Sequence, residues 1–435
     1  MGLIVQKFGG TSVGDAELIH RAARRAIRAK AAGDRVVLVV SAMGRTTDRL
    51  LDQAYQITDR PSRRELDQLL STGEQVSVAL TAMAIQHLEH DAISLTGGQI
   101  GLRTDHFYGR ARIREITELS RIRRFLDEGK IVIVAGFQGV DPDFNVTTLG
   151  RGGSDTTAVA LAAALKADEC EIYTDVDGVY TTDPRIVPEA RKLDEISYDE
   201  MLELSSLGAQ VMHSRSIELG KNYDVRIHVR SSLTDAEGTL IVKETADMEQ
   251  VIVRGAALRK NLARIVLDGV PNAPGSAAGI FSAVAARGIM VDDIVQLVGP
   301  PDGSHAINFT IDANDAADAR ALIDRFMHEF GVAAGRIDDN VAKLSVVGVG
   351  MRTHSGVASR LFAALREAEV NIENISTSEI VISCIIRRED GEKALRAAHA
   401  AFDLDQSAIE PQQPSLAAAP ATDRAPPRAI SRKSA

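Results

Sequence analysis

The sequence predicts an α/β protein: a mostly parallel sheet covered by helices on both faces, followed by a smaller, internally repeated α/β region. Three observations predict it. Short apolar runs rich in β-branched residues alternate with helical stretches through the first half, the pattern of strands buried on both faces. Glycine-rich turns stand just after those runs, where open parallel sheets bind their ligands. In the second half, Gly275 to Ile294 aligns with Gly356 to Ile375.

Composition sets the outer bounds. The chain has 435 residues, 45% hydrophobic and 25% charged, enough for two to four ordinary globular domains. A formal net charge of -10 argues against nucleic acid as the main partner. The two cysteines, Cys170 and Cys384, cannot build a disulfide framework or a metal cluster, so no protein-held metal centre is expected. A first strand with no preceding basic segment and apolar core, and no apolar run of spanning length, predicts a cytoplasmic protein without contact to membranes.

The elements follow in order. Leu3 to Val5 begins a buried strand, and Lys7, Gly9, Gly10, Thr11 and Ser12 follow it. Strand, glycine turn and helix start form an anion site: backbone N–H groups can approach a phosphate, and Lys7 adds a full charge. Ala16 to Ala32 reads as an amphipathic helix and Arg35 to Val40 as a second buried strand. Helices then run to His90, with Ser71 a candidate cap before Thr72-Gly73-Glu74. Ala92 to Leu95 and Ile131 to Ala135 are further strands. At Gly150-Arg151-Gly152-Gly153 a glycine-rich turn leads into Ser154-Asp155 and an alanine-rich helix. Either Ser154 or Asp155 can cap that helix. An arginine between glycines at a helix start suits a bidentate grip on a carboxylate or phosphate. Cys170 to Tyr173 is a strand that enters a polar loop, Thr174 to Arg185.

In the second half each repeat is a glycine loop, an amphipathic helix and an apolar strand. Gly238 to Glu249 reads as the junction between the halves. After Leu404 the chain turns to Ala, Pro, Ser and Gln, and from Ser415 it cannot bury a core.

Four motifs, KFGGTSV at Lys7–Val13, STGEQVS at Ser71–Ser77, TTLGRGGSDTTA at Thr147–Ala158 and TDVDGVYTTDPR at Thr174–Arg185, resemble those of the aspartate kinases of the amino acid kinase superfamily. The repeat resembles paired ACT domains, which are small amino-acid-binding modules. The resemblance implies a catalytic domain over 1–245, ferredoxin-like βαββαβ ACT domains over 250–340 and 341–412, and a disordered tail over 413–435. It implies transfer of a phosphoryl group from ATP, with Mg2+, to the side-chain carboxylate of L-aspartate, and feedback inhibition by lysine or threonine. A homo-oligomer formed through the ACT domains is also implied. Lys7, Arg151 and Asp155 are the implied catalytic residues; Asp155 could order Lys7, meet the substrate ammonium, or only cap its helix.

The resemblance assigns nucleotide contacts to Lys7, Phe8, Gly9, Gly10, Thr174, Asp175, Tyr180, Thr181, Thr182, Asp183, Pro184, Arg185 and Gln210. Aspartate contacts fall to Ser41, Thr47, Glu74, Arg151, Gly152, Gly153 and Ser154. Arg151 suits the α-carboxylate and Glu74 the ammonium group. An effector pocket is expected where two repeats or two subunits meet, from Asn272, Gly275, Ser276, Ala277 and Gln296 with Asn371 and Ile372. Two positions depart from the family. Gln210 stands where relatives carry a lysine, for which Arg215 or Lys221 could compensate, and Asn272 where many carry an aspartate.

Overall fold

A computed structural model of the chain describes residues 2–208, 211–245, 248, 251–298 and 304–406. The expected tail and Gln210 lie outside the described residues. The first half opens with β1 (Leu3–Phe8), α1 (Ala16–Ala31), β2 (Arg35–Val40), α2 (Thr46–Ile57), α3 (Arg63–Leu70) and α4 (Thr72–His87). There follow β3 (Ala92–Leu95), β4 (Leu102–Thr104), β5 (Ile113–Ile116), α5 (Leu119–Asp127), β6 (Ile131–Ala135), β7 (Gln138–Val140) and β8 (Val146–Thr148). Then come α6 (Gly153–Leu165), β9 (Glu169–Thr174), β10 (Glu195–Ser197), α7 (Tyr198–Ser206), α8 (Ser214–Tyr223), β11 (Ile227–Ser231) and β12 (Thr239–Val242).

Eight strands form one sheet in the order β10-β12-β11-β9-β1-β2-β6-β3. From β11 to β3 every neighbour pair is parallel, as the apolar runs predict. The alternation of β1 divides the core. Val5 faces Ala158, Val159, Leu161 and Ala162 of α6, while Phe8 faces Ile19, Ala22, Ala23 and Ala26 of α1. The α6 helix is buried nearly all round, so its alanines serve close packing. A second sheet, β5-β4-β7-β8, was not expected. Its strands are three or four residues long, too short to carry a period. The expected junction also moves: β12 occupies Thr239–Val242 inside the main sheet.

The second half comprises β13 (Gly255–Pro271), α9 (Ser276–Ala286), β14 (Val291–Val298), β15 (Ser304–Asp312), α10 (Ala316–Phe330), β16 (Ala334–Val347), α11 (Val357–Glu367), β17 (Asn374–Thr377), β18 (Val381–Arg387) and α12 (Gly391–Ala401). The repeat is visible as backbone: Gly275 (φ 100°) and Gly356 (φ 95°) each take the left-handed conformation one residue before α9 and α11. The six strands make one sheet, β14-β15-β13-β16-β18-β17. The first unit is a βαββαβ fold from β13, α9, β14, β15, α10 and β16, closed by pairs such as Ile265↔Ile337. The second unit uses the end of β16, then α11, β17, β18 and α12, and borrows its fourth strand from the start of β13 through Gly255↔Val347 and Leu258↔Leu344. Val253 and Ala256 accordingly pack with Leu344, Leu361 and Leu395. A boundary at 340/341 therefore runs through a continuous strand: the first unit is inserted into the second.

Candidate active site

The site forms where four parallel strands end together. Gly9 N–H donates to Tyr173 O, Ser41 N–H to Phe8 O, and Gly136 N–H to Val40 O, so β9, β1, β2 and β6 terminate in register. Gly10 must be glycine. A Cβ there would lie 2.7 Å from Ala42 O, because the Gly10 and Ala42–Gly44 turns pack backbone to backbone. Gly10 opens a short 3-10 turn, Gly10–Val13, and α1 starts only after Asp15, whose side chain caps it by accepting from Leu18 N–H. The glycine pair thus stands at the start of a single tight turn. Gly9 N–H is committed to the sheet, which leaves Gly10 N–H for an anion.

Lys7 ends up beside α6. Its Nζ is 2.6 Å from Asp155 Oδ1, and both side chains are nearly buried. Of the three readings of Asp155, capping is removed: Gly152 is the cap position of α6, Asp155 lies in its first turn, and neither Ser154 nor Asp155 caps. The start of α6 fits tightly under the strand ends. A Cβ at Gly136 would meet Ser154 Oγ at 2.6 Å, and a Cβ at Gly152 (φ 67°) would meet His213 Cβ at 2.2 Å. Between Gly150 and Gly152, both left-handed, Arg151 is exposed and has no ion-pair or hydrogen-bond partner among the described residues.

Glu74 is 3% exposed at the start of α4. Its Oε1 accepts from Ala42 N–H at 3.1 Å, while Oε2 is buried without a partner. Burial pushes its carboxyl up to about 7, against the opposing pull of the Ala42 N–H. Gly73 packs on Ala42 Cβ, so Glu74 and the turn after β2 hold each other. Ser71 does not cap α4; its hydroxyl donates to Gln68 O instead. Ser41 and Thr47 are half-buried on the same turn and the helix after it.

The loop after β9 lines a cleft of about 1690 Å³ that extends to the second half's sheet. Thr174, Asp175, Tyr180, Thr182, Asp183, Pro184 and Arg185 line it. Tyr180 OH donates to Asp177, and Arg185 pairs with Asp183 at 2.7 Å, which holds the Asp183 carboxyl below its usual range. Two expected nucleotide contacts point elsewhere. Phe8 is 1% exposed and stacks on Tyr173 with ring centroids 4.6 Å apart inside the core. Thr181 is fully buried; its hydroxyl meets His399 Nε2 at 3.1 Å and accepts from Arg191 N–H, and its carbonyl accepts from Ala256 N–H. Alternation along β1 turns Phe8 inward, and the packing of the loop against β13 and α12 buries Thr181; the motif alone did not reveal either.

Neither basic residue named as a stand-in at Gln210 is free. Arg215 donates to the Leu149 and Ala111 carbonyls, and Lys221 pairs with Asp199 at 2.6 Å. One acidic and histidine cluster, Glu169, Glu171 and His228, has metal-ligand spacing. It shares the sheet face of Gln6, which donates to Glu171, opposite Lys7. Its carboxylates already bind His228 and Arg230.

The expected effector residues are not brought together within one chain. Gln296 is exposed on β14 at one edge of the six-stranded sheet, Asn272 and Gly275 are exposed after the end of β13 in its middle, and Asn371 precedes β17 at the other edge. Five strand spacings, about 24 Å, separate those edges. Asn371 and Ile372 line a separate shallow hollow with Phe362 and Arg366.

A lysine held by an acid at the open end of a parallel sheet, among glycine turns and beside a free arginine, defines a phosphoryl-transfer enzyme of the amino acid kinase type. The amino acid kinase family model matches residues 2–231, and an ACT domain model matches residues 344–402. The chain is 50% identical to an aspartate kinase of Pseudomonas putida and 49% identical to aspartokinase 2 of Bacillus subtilis; these matches span 94% and 93% of this chain and 99% of each relative. It superimposes with a TM-score of 0.76 on Escherichia coli aspartokinase III solved in complex with aspartate and ADP, at 27% identity over 92% of this chain and 99% of that one. The chain belongs to the aspartate kinases, and it is an enzyme that acts on aspartate.

Proposed function

We propose that the chain transfers the γ-phosphoryl group of ATP to the side-chain carboxylate of L-aspartate, giving 4-phospho-L-aspartate, the first step toward lysine, threonine and methionine. The observation that carries this reading is the Lys7–Asp155 pair at the joined strand ends. The attacking carboxylate is ionised at neutral pH because its ordinary pKa is about 3.9, so no general base is required. The remaining work is alignment and charge neutralisation. Asp155 holds the Lys7 ammonium toward the phosphates; the unpartnered Arg151 grips the α-carboxylate; and the free Oε2 of Glu74 receives the ammonium group.

Mg2+ fits a site of this kind. It is a hard cation that prefers oxygen and retains its waters, so the phosphates would carry most of its ligands. Asp175, exposed in the loop and bonded by the Thr174 hydroxyl, is the available carboxylate. The ion would neutralise phosphate charge. The second half is a regulatory module in this reading, with lysine or threonine as the inhibitor and two copies of the chain joined edge to edge. The structure of Escherichia coli aspartokinase III in complex with lysine and aspartate supports lysine. A cytoplasmic location agrees with the absence of any membrane-length apolar helix among the described residues.

The test is ADP release with ATP and a panel of acids, with hydroxylamine trapping of the acyl phosphate. The reading requires trapping with L-aspartate. Turnover with another acid and none with aspartate would overturn it.

A further inference from the structure

We propose that Asp67 and Arg215 are positioning residues for Arg151, and that together they set the affinity for aspartate. The proposal rests on the reading of Arg151 as the aspartate-binding arginine.

Arg151 sits at the tip of a tight arch whose neck is closed by Gly153 N–H donating to Gly150 O at 3.0 Å. Gly150 and Gly152 flank it in the left-handed region, and glycines leave the chain free to move. What fixes the direction of the whole arch is its base, Thr148 and Leu149. There two charged side chains from different helices grip the backbone. Asp67 on α3 is 1% exposed. Its Oδ2 accepts from Thr148 N–H at 2.7 Å and from Gly109 N–H at 2.9 Å, and its Oδ1 accepts from the Thr148 hydroxyl at 2.8 Å. From α8, Arg215 donates to Leu149 O at 2.9 Å and to Ala111 O at 2.7 Å.

The two charges are not each other's partners, and neither has an ion pair among the described residues. A buried charge without a counter-ion is costly unless hydrogen bonds replace its water. Burial raises the Asp67 carboxyl above its usual range and lowers the Arg215 guanidinium. Both are nevertheless kept at adjacent residues, Thr148 and Leu149. Both also fasten the turn at 109–111 to the arch: Ala111 N–H donates to Thr148 O, and Gly109 O lies 2.9 Å from where a Gly150 Cβ would stand. The arch is thus pinned by an anion through its N–H and by a cation through its carbonyl, one residue apart. Neutral residues could fill the same space, but an amide offers one acceptor oxygen where Asp67 offers two, and a lysine cannot span the two carbonyls that Arg215 bridges.

Asp67→Asn, Arg215→Lys, Arg151→Ala and the double variant Asp67→Asn/Arg151→Ala are compared in the full-length enzyme, with KM measured separately for aspartate and ATP. The expected result is a rise of tenfold or more in the aspartate KM for each single variant, with the ATP KM within twofold. The double variant should be no worse than Arg151→Ala alone, because the pin acts only through the arginine. Additive losses, or parallel rises in both KM values, would mark Asp67 as merely structural and overturn the proposal. An unchanged aspartate KM in Asp67→Asn and Arg215→Lys, with Arg151→Ala impaired, would overturn it and leave the role of Arg151 standing. An unimpaired Arg151→Ala would remove the reading beneath it and the proposal with it.

Discussion

Lys7 Nζ and Asp155 Oδ1 are 2.6 Å apart and nearly buried, so the end of β1 and the first turn of α6 are tied by one ion pair. Lys7→Ala should lower kcat by roughly 10²–10³, the scale for losing one preorganised charge-stabilising group. It should also leave Asp155 buried and unpaired, at about 3–5 kcal/mol of stability. Lys7→Ala/Asp155→Ala should recover much of that stability and none of the activity. Chemical denaturation alongside turnover checks both; near wild-type turnover in Lys7→Ala removes Lys7 from the mechanism.

The role proposed for Glu74 predicts a pH-sensitive aspartate site. Its native carboxyl titrates at about 7, against the ordinary 4.5, so the native state holds a proton that the unfolded chain has released. That contribution to stability is full below about 4.5 and is lost as pH rises through about 7. Binding the ammonium group has the opposite sense, since it needs the ionised carboxylate. The aspartate KM should therefore fall with rising pH, approaching tenfold per unit below 7, and level off above. In Glu74→Gln both dependences should flatten and the KM should stay high. A sloping KM in that variant assigns the titration elsewhere.

Arg151→Lys should behave like Arg151→Ala. A point charge on a flexible stem cannot reproduce bidentate geometry, and nothing else holds the side chain in place. The loss should appear in the KM for aspartate, with the ATP KM nearly constant. A fall in ATP affinity instead would make Arg151 a phosphate ligand.

Asn272 and Gln296 test the regulatory reading. Both are exposed. Asn272→Asp should strengthen inhibition by lysine or threonine by about 1 kcal/mol, the gap between charged and neutral hydrogen bonds. Gln296→Ala should weaken it and leave uninhibited turnover intact. Titrations of each amino acid and their mixture decide; a real inhibition curve that Gln296→Ala leaves unmoved discards the pocket.

Parts of this molecule were legible in its residues and parts were not. Val36–Val40 and Ile131–Ala135 are apolar on every residue, so strands buried on both faces could be read directly. The glycine turns after them marked the site, because Gly10 and Gly152 tolerate no side chain. Phe8 and Thr181 belong to the right motifs, but only the fold shows that they face inward. Asp67 looks like an ordinary helix residue between leucines; its partners Gly109 and Thr148 are 42 and 81 residues away. The 17-residue β13 hides its continuity behind the polar Arg259-Lys260-Asn261 and two register shifts, so its service to both units could not be read, and the expected boundary at 340/341 fell inside β16.

The nesting of one regulatory unit inside the other bears on a chain still being made. When Gly255 to Leu258 emerge from the ribosome, their partners Leu344 to Val347 do not yet exist, and the helix that covers them, α12, is synthesised last. His399 on that helix completes the bonding of Thr181, in the middle of the loop after β9. The loop after β9 therefore waits for α12 to be made, and the first half alone lacks this contact. Chains ended before Gly391 should be cut by protease within 181–191, where the complete protein resists.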